Sequence, residues 1–256
     1  MGSLGNALTE GRKQGSALLP GYTRLYGIVP VFHPMGLEDL AGETRDLLDT
    51  GSRTFSEILA TGTPNLSSLL VASEDWKDAP REGERPYPPG LPYLTQSTDP
   101  PALVLPETLS PAFEPRTDAT WPLVVWHELA HAFLLQKPVP RAPAWLREFV
   151  PQALTAAVAQ RAGILAQHLE QIDPPSDLTV REFGGPADAE RQMAFQNTLL
   201  GLGAAALEEF SEEYLRRLVY ELWDETEIVD EARAEEILAG SLGSRGRIWL
   251  EGRLEF

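Results

Sequence analysis

The amino-acid sequence predicts an α+β fold: a small N-terminal mixed sheet with a helix, a central helix, and a C-terminal helical lobe. Three observations predict it. Short β-rich runs stand in the first part of the chain, at Leu25–Phe32, Leu66–Ala72 and Ala102–Pro106. Helical patterning covers Leu37–Leu59 and most of the chain after Ala144. Between these parts lies an apolar run, Leu123–Leu134, interrupted by two histidines and a glutamate. The 256 residues are 43% hydrophobic, enough for a sizeable core. They divide into a loose Gly-rich tail over 1–20 and one domain over 21–256, with an α/β lobe to about residue 136 and a helical lobe from about 143.

Taken in order, Leu25–Phe32 reads as one strand, with Pro30 marking an edge or a bulge. His33 follows as an ordinary strand-end histidine. Leu37, Leu40, Ala41, Leu47, Leu48, Phe55, Ile58 and Leu59 give the first helix its apolar face, which Gly51 is expected to divide. Leu66–Ala72 is the second strand. Pro80–Pro101 holds seven prolines and reads as a long irregular segment, either a cover for a functional cleft or a solvated excursion, the two readings standing level. Ala102–Pro106 is a short strand. Thr120 is placed as the cap of the central helix, spanning about 121–135, with Pro122 in its first turn, where proline is tolerated. Helices follow at Ala153–Ile172, stopped by Asp173-Pro-Pro175, and at Ala187–Phe210. A further helix starts after Ser211 with Glu212 and Glu213 at its dipole-favoured end, and short helices close the chain over 231–239 and 245–256.

The chemistry concentrates in Val124-Val-Trp-His-Glu-Leu-Ala-His-Ala-Phe-Leu134. On a helix, His127 and His131 stand at i and i+4, one turn apart on one face, so both imidazoles can hold one metal ion. Glu128 lies about 100° round from His127, beside the metal, where it can act as general base on a water. The chain has only four histidines, and polar groups on so apolar a helix need a partner such as a metal. A catalytic zinc takes three protein ligands and keeps one position open. With no cysteine in the chain, the third must be His, Asp or Glu.

Further on, the chain reads Pro143-Ala-Trp-Leu-Arg-Glu-Phe-Val150, with sixteen residues between His131 and Glu148. This stretch resembles the W-L-x-E-G segment of gluzincins, the metallopeptidase clan of thermolysin and aminopeptidase N. The resemblance implies a zincin-like fold, a Zn2+ cofactor held by His127, His131 and Glu148, and hydrolysis of a peptide or protein substrate with Glu128 as catalytic base. It also implies an antiparallel edge strand beside the zinc, for which residues 102–105 stand as the last strand before the central helix. The chain departs from the clan in three places: Phe149 replaces a glycine, Pro151 interrupts the following helix, and Gln152 occupies the position of an aspartate that orients the first histidine. A glutamine carbonyl could accept that imidazole N–H in its place. The clan's oxyanion donor is a Tyr or His. The matching position early in the long helix falls near Phe195, which cannot donate, so Tyr87, Tyr93, His168, Tyr214 and Tyr220 are the candidates. A zinc-bound scaffold that binds a peptide without cleaving it, and a hydrolase of another amide or ester, are the rival readings.

A formal charge of −17 disfavours nucleic acid and anionic membranes as partners. The lack of cysteine excludes disulfides and thiol catalysis. With no signal pattern at the N-terminus and no membrane-length apolar run, the cytoplasm is the expected compartment.

Overall fold

The computed structural model describes residues 19–83, 87–114, 116–171, 179–180, 183 and 189–251. Nearly all of the expected tail, the residues around Asp173-Pro-Pro175 and the last five residues lie outside these. The described residues form an α+β fold with a five-stranded sheet followed by a largely helical C-terminal part.

The sheet contains β1 (Thr23–Leu25), β2 (Val31–His33), β3 (Ser67–Val71), β4 (Tyr93–Thr95) and β5 (Ala102–Pro106), in the order β1-β2-β3-β5-β4. The pairs β2–β3 and β3–β5 are parallel, and each outer strand is antiparallel to its neighbour. Leu25–Phe32 is therefore two strands. Pro30 lacks the N–H a ladder requires, and the chain reverses between Leu25 and Val31 to pair β1 with β2. β3 and β5 are buried at every position. Their alternate residues face two apolar layers: Leu70, Leu103 and Leu105 pack with the helices, while Leu69, Val71 and Val104 pack with Trp76, Ala79 and Tyr93.

β5 consequently lies inside the sheet, and the antiparallel edge strand is β4. The expectation for 102–105 is corrected by one strand. β4 belongs to the proline-rich segment, whose prolines flank a three-residue strand without entering it. Trp76 Nε1 donates to the Tyr87 carbonyl at 3.0 Å, Tyr93 Oη donates to the Pro80 carbonyl at 3.0 Å, and Tyr87 stacks on Tyr93 with centroids 4.2 Å apart. These contacts hold the segment against the sheet.

Helix α1 (Glu38–Leu59) is continuous through Gly51. A Cβ at Gly51 would come within 2.8 Å of both Leu129 and Trp126, so this glycine serves a close helix crossing and does not break the helix. Helix α2 (Thr120–Leu134) runs under the sheet with apolar residues around most of its circumference, as a buried helix should. Its N-cap is Ala119; Thr120 is the first helical residue, and its hydroxyl accepts from the Thr117 N–H at 2.8 Å. Its far end is held by Trp223 Nε1, which donates to the Leu134 carbonyl at 2.9 Å.

Helix α3 (Ala144–Arg161) carries Pro151 in its interior and continues through it. The proline forfeits one backbone bond, that to the carbonyl of the exposed Arg147, which leaves the lost acceptor near solvent. The break falls later, at Gly163 with φ 74, so the helix expected over Ala153–Ile172 becomes the end of α3 plus α4 (Leu165–Gln171). Helices α5 (Ala189–Phe210), α6 (Glu213–Asp224), α7 (Glu231–Leu242) and α8 (Gly246–Glu251) complete the described chain. Ser211, with φ 57, turns the chain between α5 and α6. A Cβ at Gly203 of α5 would stand 2.8 Å from the Ala153 Cα of α3, so the two helix backbones touch there. Among the described residues, no helix is long and apolar enough to cross a membrane.

Candidate metal centre

Helix α2 presents His127 and His131 from successive turns, and α3 brings Glu148 across from its second turn. Trp145, Leu146 and Phe149 are fully buried around Glu148, so the start of α3 is anchored and its carboxylate is aimed at α2. His127 Nε2 and His131 Nε2 lie 3.1 Å apart. Glu148 Oε2 lies 3.3 Å from the first and 3.4 Å from the second. Bond lengths of about 2.0–2.1 Å at tetrahedral angles put ligand atoms roughly 3.3 Å apart, so these three atoms match the spacing and chemistry of a zinc-ligand set. His127, His131 and Glu148 are also the one such group of potential ligands among the described residues.

The site's electrostatics rest on close contact between charges. Burial raises the Glu148 carboxyl, but the hydrogen bonds and charges of His127 and His131 overcome this and hold it far below the usual carboxylate range. Burial lowers the His131 imidazole, yet its hydrogen bond with Glu148 and the charges of Glu148 and Glu128 leave it above its ordinary value. Glu128 is buried beside the triad. Desolvation raises its carboxyl, the two histidines pull it down, Glu148 pushes it up, and the net shift is upward. A carboxylate raised in this way is a better proton acceptor near neutral pH.

These groups line a cavity of about 660 Å³. Its walls include Tyr87, Leu91 and Tyr93 of the proline-rich segment, Leu123 and Val124 of α2, and Gln192, Met193 and Gln196 of α5. The proline-rich segment therefore forms one wall of the cavity.

The structure separates the candidate donors. Phe195 is buried with its ring against Phe183. Tyr214 is wholly buried and lies 3.4 Å from the Gly203 carbonyl. Tyr220 lies against Trp223 and Lys137 and does not line the cavity. His168 lines the cavity, with Nδ1 3.1 Å from Thr117 Oγ1 near the start of α2, two turns before His127. Tyr93 lines it too, but its hydroxyl is engaged by Pro80. Tyr87 lines the cavity, and its phenol is raised by burial and then by the charges of Glu128 and Glu148. His33 is remote from all of this, its Nδ1 2.9 Å from the carbonyl of Pro34.

Gln152 does not take the aspartate's part. Its amide nitrogen lies 2.6 Å from Gln196 Oε1, and Gln196 Nε2 lies 3.1 Å from Glu148 Oε2. His127 Nδ1 is buried without a hydrogen-bond partner among the described residues. Gln196 is the site residue that sequence reasoning missed, since the position sought in the long helix fell one residue earlier, on Phe195.

No family model matches this chain, and no curated protein does. Among solved structures it is similar to yeast LTA4 hydrolase in complex with bestatin, with a TM-score of 0.55 and 12% identity. The similarity covers 91% of this chain and 39% of the yeast chain, and at that identity it establishes likeness of fold.

Proposed function

We propose that the chain is a zinc-dependent metallopeptidase that hydrolyses peptide bonds of a peptide or protein substrate. The observation that carries this reading is the convergence of His127 Nε2, His131 Nε2 and Glu148 Oε2 within 3.4 Å of one another in the wall of a cavity, with the carboxylate of Glu128 beside them. Likeness of fold to a protein named a hydrolase supports it, as does the resemblance of the helix and W-L-x-E segment to gluzincins.

Bound zinc would supply Lewis-acid polarisation of a water and of the scissile carbonyl. His127, His131 and Glu148 would hold it. Glu128 would accept the water's proton and return it to the leaving amine, a role for which burial has raised its carboxyl. β4, whose outer edge pairs with no other strand among the described residues, would align an extended substrate backbone along the cavity. We assign the oxyanion contact to the Tyr87 hydroxyl, since Tyr87 shares the cavity with the triad and its phenol feels the charges of Glu128 and Glu148. The net charge of −17 supports a partner other than nucleic acid.

The test is zinc content by elemental analysis, followed by digestion of a diverse peptide library with wild type and Glu128→Gln. Cleavage by zinc-loaded wild type and none by the variant is the expected result. Equal cleavage by both would remove Glu128 from its role. A rival scaffold reading is favoured by His127 Nδ1, which has no acceptor among the described residues, where a catalytic zinc histidine normally has one. Zinc binding without cleavage of any library member would support it.

A further inference from the structure

Gln152 and Gln196 come from different helices, α3 and α5, and meet beside the triad. Gln152 is buried, and an amide there must find partners or lose about 1–3 kcal/mol. Its partner is chosen in a definite direction. A carboxylate oxygen of Glu148 faces Gln196, and such an oxygen accepts. Gln196 must therefore turn its NH2 toward Glu148, at 3.1 Å, which leaves its carbonyl to face Gln152. Gln152 must then donate, at 2.6 Å. One orientation of both amides satisfies the chain: Gln152 Nε2 donates to Gln196 Oε1, and Gln196 Nε2 donates to Glu148 Oε2. The oxygen that receives Gln196 is Oε2, the same atom that lies 3.3 and 3.4 Å from the two imidazole nitrogens.

We propose that Gln152 and Gln196 form an amide relay that positions Glu148 as the third metal ligand, so that zinc affinity in this protein is set from α5 through two neutral side chains. This rests on the metal-site reading given above. The relay presents Oε2 to the metal and occupies one of its remaining lone pairs. It resists rotation of the carboxylate, and Gln152 in turn keeps Gln196 from turning its carbonyl toward the anion. Both are positioning residues. Neither is a metal ligand in this scheme.

The test is zinc affinity of the full-length chain, measured by competition with a chromogenic chelator. The variants are Gln196→Leu, Gln196→Met, Gln152→Leu and the double Gln152→Leu/Gln196→Leu. Far-UV circular dichroism and metal-free melting serve as fold controls. Gln196→Leu is expected to weaken zinc binding about 10–100-fold, the range for groups that orient metal ligands. Gln152→Leu should weaken it less, and the double variant should be no weaker than Gln196→Leu, because Gln152 acts only through Gln196. The absorption spectrum of the Co2+-loaded protein should shift with Gln196→Leu, which a packing role would not cause. Should Gln196→Leu melt early without metal, the near-isosteric Gln196→Met carries the same expectation. Unchanged affinity and an unchanged cobalt spectrum in the Gln196 variants would overturn the relay while leaving the metal site intact. Additive losses in the double variant would overturn the coupling through Gln196. A wild type that binds neither zinc nor cobalt would overturn the metal-site reading and the relay together.

Discussion

Glu128 and Glu148 are both largely buried, and their surroundings drive them apart. Glu148 touches both imidazoles and is held ionised; Glu128 stands a step away and is raised by burial. Their expected losses differ accordingly. Glu128→Gln should abolish hydrolysis and leave zinc content and melting unchanged, read by elemental analysis beside a library digest. Tyr87→Phe keeps the ring stacked on Tyr93 and should lower kcat about 100- to 1000-fold with little change in KM, the loss typical of one oxyanion donor. The pH dependence follows from His131. Zinc must displace its proton, so affinity should rise with pH through the ordinary imidazole range and level off only above it, because the His131 value is raised. A raised imidazole stabilises the metal-free fold below its unfolded value, and that contribution is lost as pH rises through the folded one. The melting gap between zinc-loaded and metal-free protein should therefore widen with pH over that window, and a gap that narrows would contradict the pairing. Legibility at this scale followed the chemistry. His127, Glu128 and His131 stood out by the H-E-x-x-H spacing on a helix, and Glu148 was proposed from the resemblance of its W-L-x-E segment to gluzincins. Gln196 was not, since an amide forty-eight residues from Glu148 in sequence gains meaning only when two helices are seen to touch.

At the level of elements, the α3–α5 contact carries the site's accuracy. Gly203 meets the backbone of Ala153, next to Gln152, and two helical turns earlier on α5 stands Gln196. A side chain at 203 would push against the Cα, Cβ and N of Ala153, none of which can swing aside. Gly203→Ala should cost about 1–3 kcal/mol through overpacking, in spite of alanine's better helix propensity, and should weaken zinc binding by moving Gln196 away from Glu148. Paired melting and chelator competition check both parts. A stabilised variant with unchanged affinity would show that the helices do not need this approach. The helices themselves were legible from periodicity, and β3 and β5 from their apolar runs. Among the readings the structure corrected, two show clearly why sequence misled. Gly51 resembles a helix breaker in sequence, but its missing Cβ makes room for Leu129 and Trp126, which are seventy-five or more positions away. The order β3-β5-β4 places the later strand inside the earlier one, and three residues among prolines carry too short an alternation to be seen as the edge.

For the molecule as a whole, the metal is expected to act as a cross-link between the two parts of the chain, since α2 and α3 each supply ligands. At free zinc a hundredfold above the dissociation constant, binding only to the folded state adds about 2.7 kcal/mol. For a chain of this size that corresponds to a melting shift of roughly 5–10 °C. Chelation should remove it, and His127→Ala should melt near the chelated wild type whether zinc is present or not. Calorimetry with and without chelator decides this; equal melting of wild type in both conditions would mean that the three donors hold no ion in the folded protein.

The outer edge of β4 has a consequence for self-association. An unpaired strand edge is a template on which other chains can build, and long flat edges lead toward fibrils. Here the open edge is three residues long, Tyr93–Thr95, and its alternating pleat turns part of that towards β5. Pro92 precedes it, Pro100 and Pro101 follow, and the cavity wall shields its face. An edge of three residues is too short to recruit a second sheet.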